Sequence, residues 1–219
     1  MFDSGVVATT GGPALTASDP ASGVLETGAV VQTATLAGWV RLLAHTDRAV
    51  GDGERIAQIR ALEELKAAAA AAQAVATADL VASRRAAQRA AGVTTRDLGR
   101  GVGAEVALAR RDSPHQGSRH VGLAQALVHE LPGTMAALRA GAISEWRATI
   151  VVRETACLTA EDRRAADAQL AGRLAGLGDG QVEAAARTVA YRLDPQAFTA
   201  RSQGPRGTVG SPCARPRTP

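Results

Sequence analysis

GDGERIAQIRALEELKAAAAAAQAVATADLVASRRAAQRAAG, residues 51–92, decides the fold. From Glu54 to Ala91 it contains neither glycine nor proline, the two residues that end helices. Alanine, the best helix former, dominates it. Ile56, Ile59, Leu62 and Leu65 recur early, and Val75, Leu80 and Val81 late. The pattern predicts one long helix from about Glu54 to Ala91. Helical propensity alone rarely holds so long a helix, so its middle is expected to pack on neighbours.

Working outward, the same reading gives further helices. One is predicted from about Thr33 to Val50, with Leu36, Trp39, Val40 and Leu43 on its apolar side. After a glycine-rich joint come residues 103–111, then a helix opened by Ser113-Pro114, with Leu123, Leu127, Val128 and Leu131 as its stripe. Pro132 interrupts, and a short helix over 133–140 closes at Gly141. Ser144 is a good N-cap for a helix to Leu158. Thr159-Ala-Glu-Asp162 resembles a capping box, opening a helix that buries Ala166, Leu170, Leu174 and Leu177. Val182, Ala186, Val189 and Leu193 mark the next, and Asp194-Pro195 begins one more. Strand patterns are nearly absent. The expected fold class is all-α, an irregular bundle of about six to eight helices with one long alanine-rich member.

Composition bounds the rest. Aromatics make up 2% of the 219 residues, so the core must come from Leu, Val, Ile and Ala. The net charge is +4. Arg201, Arg206, Arg215 and Arg217 are the only charges after residue 200, which leaves 25 − 4 = 21 basic against 21 acidic residues before it. Any basic footprint must therefore be local. Two cysteines, Cys157 and Cys213, make neither a disulfide framework nor a zinc site. The N-terminus has no basic region of a secretory signal, and Lys66–Ala82 reads as too weakly apolar for a membrane span. A soluble cytoplasmic protein is expected, with a disordered leader at 1–28, a helical domain at 29–201 and a disordered tail at 202–219.

No catalytic motif emerges. "GRGVG" at 99–103 lacks the preceding strand a phosphate loop needs and reads as a joint. His45, His115, His120 and His129 lack metal-ligand spacing. No cofactor, metal or small-molecule substrate is expected. Two sets of residues remain. Glu145, Arg147, Arg153 and Glu154 ride on a helix read as apolar nearly all round, and hence as central. Charges there must be paired, and an internal salt-bridge set is preferred to a polar pocket. Residues 84–119 hold eight arginines against Asp97, Glu105 and Asp112, a local 8 − 3 = +5. Of these, Arg84, Arg85, Arg89, Arg110, Arg111 and Arg119 are the candidate nucleic-acid contacts, through phosphates, since no aromatic lies in the window to stack on bases.

Four segments in order, "QIRALEELKAAAAAAQA", "EVALARRDSPHQG", "LPGTMAALRAGAISEWRATIVVRETACLTAEDRR" and "LDPQAFTAR", together resemble the actinobacterial 13E12-repeat family over about Glu54 to Arg201. The resemblance implies an N-terminal helical domain without assigned function or catalytic residues, commonly followed by an HNH endonuclease domain. Residues 202–219 lack apolar rhythm. A G+C-biased back-translation of residues 207–219, read from the third codon base, resembles the family's continuation. The expectation is therefore a frameshift near Arg201 and a non-catalytic truncated remnant. It would bind DNA or, alternatively, act as a protein-interaction or self-association module.

Overall fold

The computed structural model describes residues 31–203. Residues 1–28 of the expected leader and 204–219 of the expected tail lie outside them. Every regular element among the described residues is helical, with no strand. The helices are α1 (Thr33–Leu43), α2 (Asp52–Ala90), α3 (Val102–Arg110), α4 (Pro114–His129), α5 (Pro132–Arg139), α6 (Glu145–Glu154), α7 (Ala160–Leu170), α8 (Asp179–Leu193) and α9 (Pro195–Gln203). Single 3-10 stretches cover Thr95–Asp97 and Ala171–Gly176. The chain divides into two units, Met1–Arg48 and Ala49–Pro219. α1 lies in the first and the other helices in the second.

α1 ends seven residues short of the expected Val50. Past Leu43 the chain offers Thr46 and Asp47, short polar side chains that bond the backbone in competition with helix. Thr46 Oγ1 donates to the Leu43 carbonyl at 2.9 Å. α1 buries none of its residues.

In the second unit α2 is the spine. Gly51, at φ +88°, turns the chain into it. Ala67, Ala70, Ala71, Ala74, Ala78 and Val81 are its buried residues. Their spacing of three and four keeps them on one side of the helix. α4, α5 and α6 pack on α2. By length and composition, α2 is apolar enough to cross a membrane, with a mean hydropathy of 1.2 over 18 residues. That corrects the sequence expectation. A third of that window is buried in the bundle.

The main core joins α2 to α4 through α8: Leu127, Leu131, Leu138, Ile150, Val151, Leu170, Leu174 and Val182 are fully enclosed. Val81, Val102 and Val106 form a second, smaller core between α2 and α3. Ser113, Ser144 and Thr159 cap α4, α6 and α7, each accepting a hydrogen bond from the backbone N–H three residues on. The helix expected to run from Thr159 through Leu177 tightens to 3-10 at Ala171 and still buries Leu174.

Glycine sets the spacing of α3 and α4. A Cβ on Gly117 would clash with the Gly103 carbonyl oxygen and lie 2.6 Å from the Ala107 Cβ. Residue 117 thus rests directly on the 103–107 turn of α3. Gly122, one turn further along α4, has nothing within 4 Å of its Cβ position. Gly117→Ala should therefore cost about 3 kcal/mol through overpacking. Gly122→Ala should gain about 0.5 kcal/mol by restricting the unfolded chain. Urea unfolding of the two variants measures the contrast. Equal effects would contradict the close crossing.

Candidate nucleic-acid interface and charged cluster

The charges of α6 part company in space. Successive residues on a helix are about 100° apart, so Glu145 and Arg147 point to nearly opposite sides. Glu145 faces Arg110, whose Nη2 donates to Glu145 Oε1 at 3.1 Å. Arg147 Nε instead donates to Asp179 Oδ1 at the start of α8, at 2.8 Å. Arg153 and Glu154 form a third group. Of the four residues only Glu154 is buried, at 2% exposure. The expectation of a helix buried all round is thereby corrected: Trp146, beside Glu145, is 51% exposed.

Glu154 is the hub of that third group. Arg153 Nε donates to its Oε1 at 2.6 Å, and Arg187 Nε of α8 donates to its Oε2 at 3.1 Å. Arg201 of α9 stands 3.4 Å from Oε2 and donates to the Glu154 carbonyl oxygen at 3.0 Å. One carboxylate thus ties α6 to α8 and α9. Burial alone would push the Glu154 carboxyl up; the hydrogen bonds from Arg153 and Arg187 and the charge of Arg201 outweigh it and hold it below the usual carboxylate range.

A second buried carboxylate was not singled out in the sequence. Asp167 of α7 accepts from the backbone N–H groups of Gly133 and Thr134, at 2.6 and 2.9 Å, and from the Thr134 hydroxyl. Leu131 precedes α5 and offers no capping side chain. Helix starts leave unpaired N–H groups, and here a carboxylate more than thirty residues away accepts from them. The missing local cap before Pro132 was the available signal. Arg163, also on α7, pairs with Glu130 and donates to the Val152 carbonyl at 3.3 Å.

The basic stretch also sorts itself. Its three carboxylates are all engaged: Asp97 with Arg100, Glu105 with Arg84, and Asp112 with His120. Arg110 lies against Gln73 and Glu145 with its side chain only 20% exposed, so it is taken up internally. Arg84 bridges α2 to α3 through Glu105. Arg85, Arg89, Arg96, Arg111 and Arg119 form no ion pair among the described residues. Arg85 lies along Gly99, with Nε 3.1 Å from that residue's Cβ position, and Gly99 stands at φ +84°. The "GRGVG" joint is thus a packed turn.

Arg119 borders a cleft of about 310 Å³ between α4 and α6. Gln116, Arg119 and His120 line its α4 side over Leu123, while Glu145, Trp146 and Thr149 line its α6 side over Val152. The cleft brings Glu145 and Arg119, drawn from the two separate sequence candidates, to one place. Among the described residues no group of three or more His, Cys, Asp or Glu side chains is placed to hold a metal ion.

Glu154→Gln should destabilise the domain by about 2 kcal/mol at pH 7, because charge-assisted hydrogen bonds are weakened. A carboxyl with a lowered folded pKa adds stability above its unfolded value, near 4.3, and loses it as pH falls through the folded value. The gap between wild type and variant should therefore shrink as pH drops below about 4.3. Urea unfolding at pH 7 and at steps down to pH 3 reads both. A gap that widens in acid would refute the pairing.

No curated relative and no solved structure matches the chain. A family described as "Domain of unknown function (DUF222)" matches residues 59–210. The match ends within the stretch after Arg201 that the sequence reading took as out of frame. It takes in α3 to α9 and most of α2, well over half of the sequence, and the chain therefore belongs to the DUF222 family.

Proposed function

We propose that this domain is a non-catalytic nucleic-acid-binding module, the helical partner of an HNH-type endonuclease. The observation that carries the reading is the charge balance of residues 84–119. Every carboxylate there has a partner, and five arginines have no ion-pair partner among the described residues. Unpaired arginines are the groups phosphates neutralise, releasing counterions. The ordered resemblance to the 13E12-repeat family supports the link to a nuclease. In this reading the domain positions the nuclease on its substrate and performs no chemistry itself.

A labelled 30-base-pair duplex, titrated with the full chain by fluorescence anisotropy, tests it. Binding at 50 mM salt should weaken steeply as salt rises. Each phosphate contact contributes about 0.9 to the slope of log K against log salt. Arg85→Ala/Arg89→Ala should lower that slope by about 2. Absence of binding at low salt would refute the reading.

One observation favours a second reading, self-association. No residue of α2 before Ala67 is buried. Ile56 and Ile59 are 59% and 62% exposed, and Leu62 and Leu65 are also open. Such clusters mark interaction surfaces. If copies associate there, sedimentation equilibrium should show a dimer that Ile56→Glu/Ile59→Glu dissociates at least tenfold. A wild-type monomer at 100 μM would exclude it.

A further inference from the structure

We infer that α3, the turn 111–113 and α4 form a helix-turn-helix unit that lays the exposed face of α4 into the major groove of duplex DNA. The inference rests on the nucleic-acid reading and specifies its element and its ligand.

Three features build the unit. The first is connection: α3 ends at Arg110 and α4 starts at Pro114, a three-residue turn. Helix pairs that read DNA use turns of this length. The second is the conformation of the turn. Arg111 has φ +59°, the sole non-glycine residue with positive φ among the described residues. Left-handed backbone costs an ordinary side chain roughly 1 kcal/mol, so the surroundings impose it. Its N–H donates to the Leu108 carbonyl, and the next residue, Asp112, donates to Ala107 at 2.8 Å. The chain thus leaves α3 sharply and at once enters α4, capped by Ser113. The third is the crossing. Gly117 rests on the Gly103–Ala107 turn, and Gly103 in turn meets Ser118. The small residues lock the two helices as one body.

Locking buries one side of α4 and frees the other. Gly117, Ala124, Ala126 and Leu127 are buried. His115 and Gly122 are exposed, with Arg119 half-buried between them. They stand at i, i+4 and i+7, one face of the helix. The face is flat at Gly122, which has no side chain, and offers hydrogen-bonding groups at His115 and Arg119. An arginine reads guanine from the major groove in a bidentate contact. The face spans about 10 Å of helix, on the order of three base pairs. Arg119 within the face and Arg111 in the turn before it have no ion-pair partner among the described residues, which suits a polyanion.

The test selects from a random-sequence pool of 20-base-pair duplexes with the full 219-residue chain, in parallel with a single-stranded pool. Wild type should enrich a short motif from the duplex pool. His115→Ala/Arg119→Ala, at exposed or half-buried positions that leave the cores intact, should lose that enrichment by tenfold or more while still retaining duplex. Circular dichroism checks that the variant is folded. Duplex binding without enrichment, enrichment unaltered in the variant, or retention of single strands alone would each overturn this inference and leave the nucleic-acid reading standing. Failure to retain either pool at 50 mM salt would overturn both.

Discussion

Close approach of helix backbones is the constraint from which the rest of this structure follows. With 2% aromatics the chain has few large side chains to fill space between helices. Native packing density must then be reached by moving the helices together. α2 meets its neighbours through five buried alanines. Gly117 rests on α3, a Cβ on Gly141 would lie 2.8 Å from the Glu64 Cβ, and Gly133 admits Ala171 and Asp167. Each contact leaves little tolerance for added bulk. Small side chains also remove little apolar area per residue, and about 0.8 kcal/mol attends each buried methylene.

Directional polar contacts complement such a core. Glu154 and Asp167 are both almost wholly buried, and both join elements distant in sequence. Glu154 does so with three arginines, Asp167 with the backbone of α5. Neither carboxylate is stranded, which is what makes burial tolerable. Alanine faces are alike along their length, and a helix could slide one turn along such a face at modest cost. A buried acceptor that must meet particular donors admits one register. Burial also explains the thiol of Cys157, which its surroundings push up from its ordinary range.

Much of this was legible in the sequence, and the boundary between legible and hidden is physical. Ser113, Ser144 and Thr159 announce their helices because capping is local, three residues deep. The face Val182, Ala186, Val189 was plain because its period is that of the helix. Partners across the fold were not. Nothing near Glu154 in sequence points to Arg187 or Arg201, and nothing near Pro132 points to Asp167. Reading the charges of α6 as one cluster on a central helix failed because Glu145, Arg147 and Glu154 face different neighbours. Counting net charge over residues 84–119 found the basic stretch. It could not separate Arg110, which is tied inward, from Arg111 and Arg119, which are not.

Those separations link the packing to the proposed function. A chain that uses arginine for nearly every cation must assign some to the fold and leave others to solvent. Arg110, at the end of α3, turns inward to Gln73 of α2 and Glu145 of α6. Arg111, the very next residue, has a left-handed backbone and is exposed. Glycine at 103 and 117 allows the crossing, and the left-handed turn at Arg111 follows at once on the inward-facing Arg110. The surface offered by α4 is in this sense a consequence of a core built without large side chains.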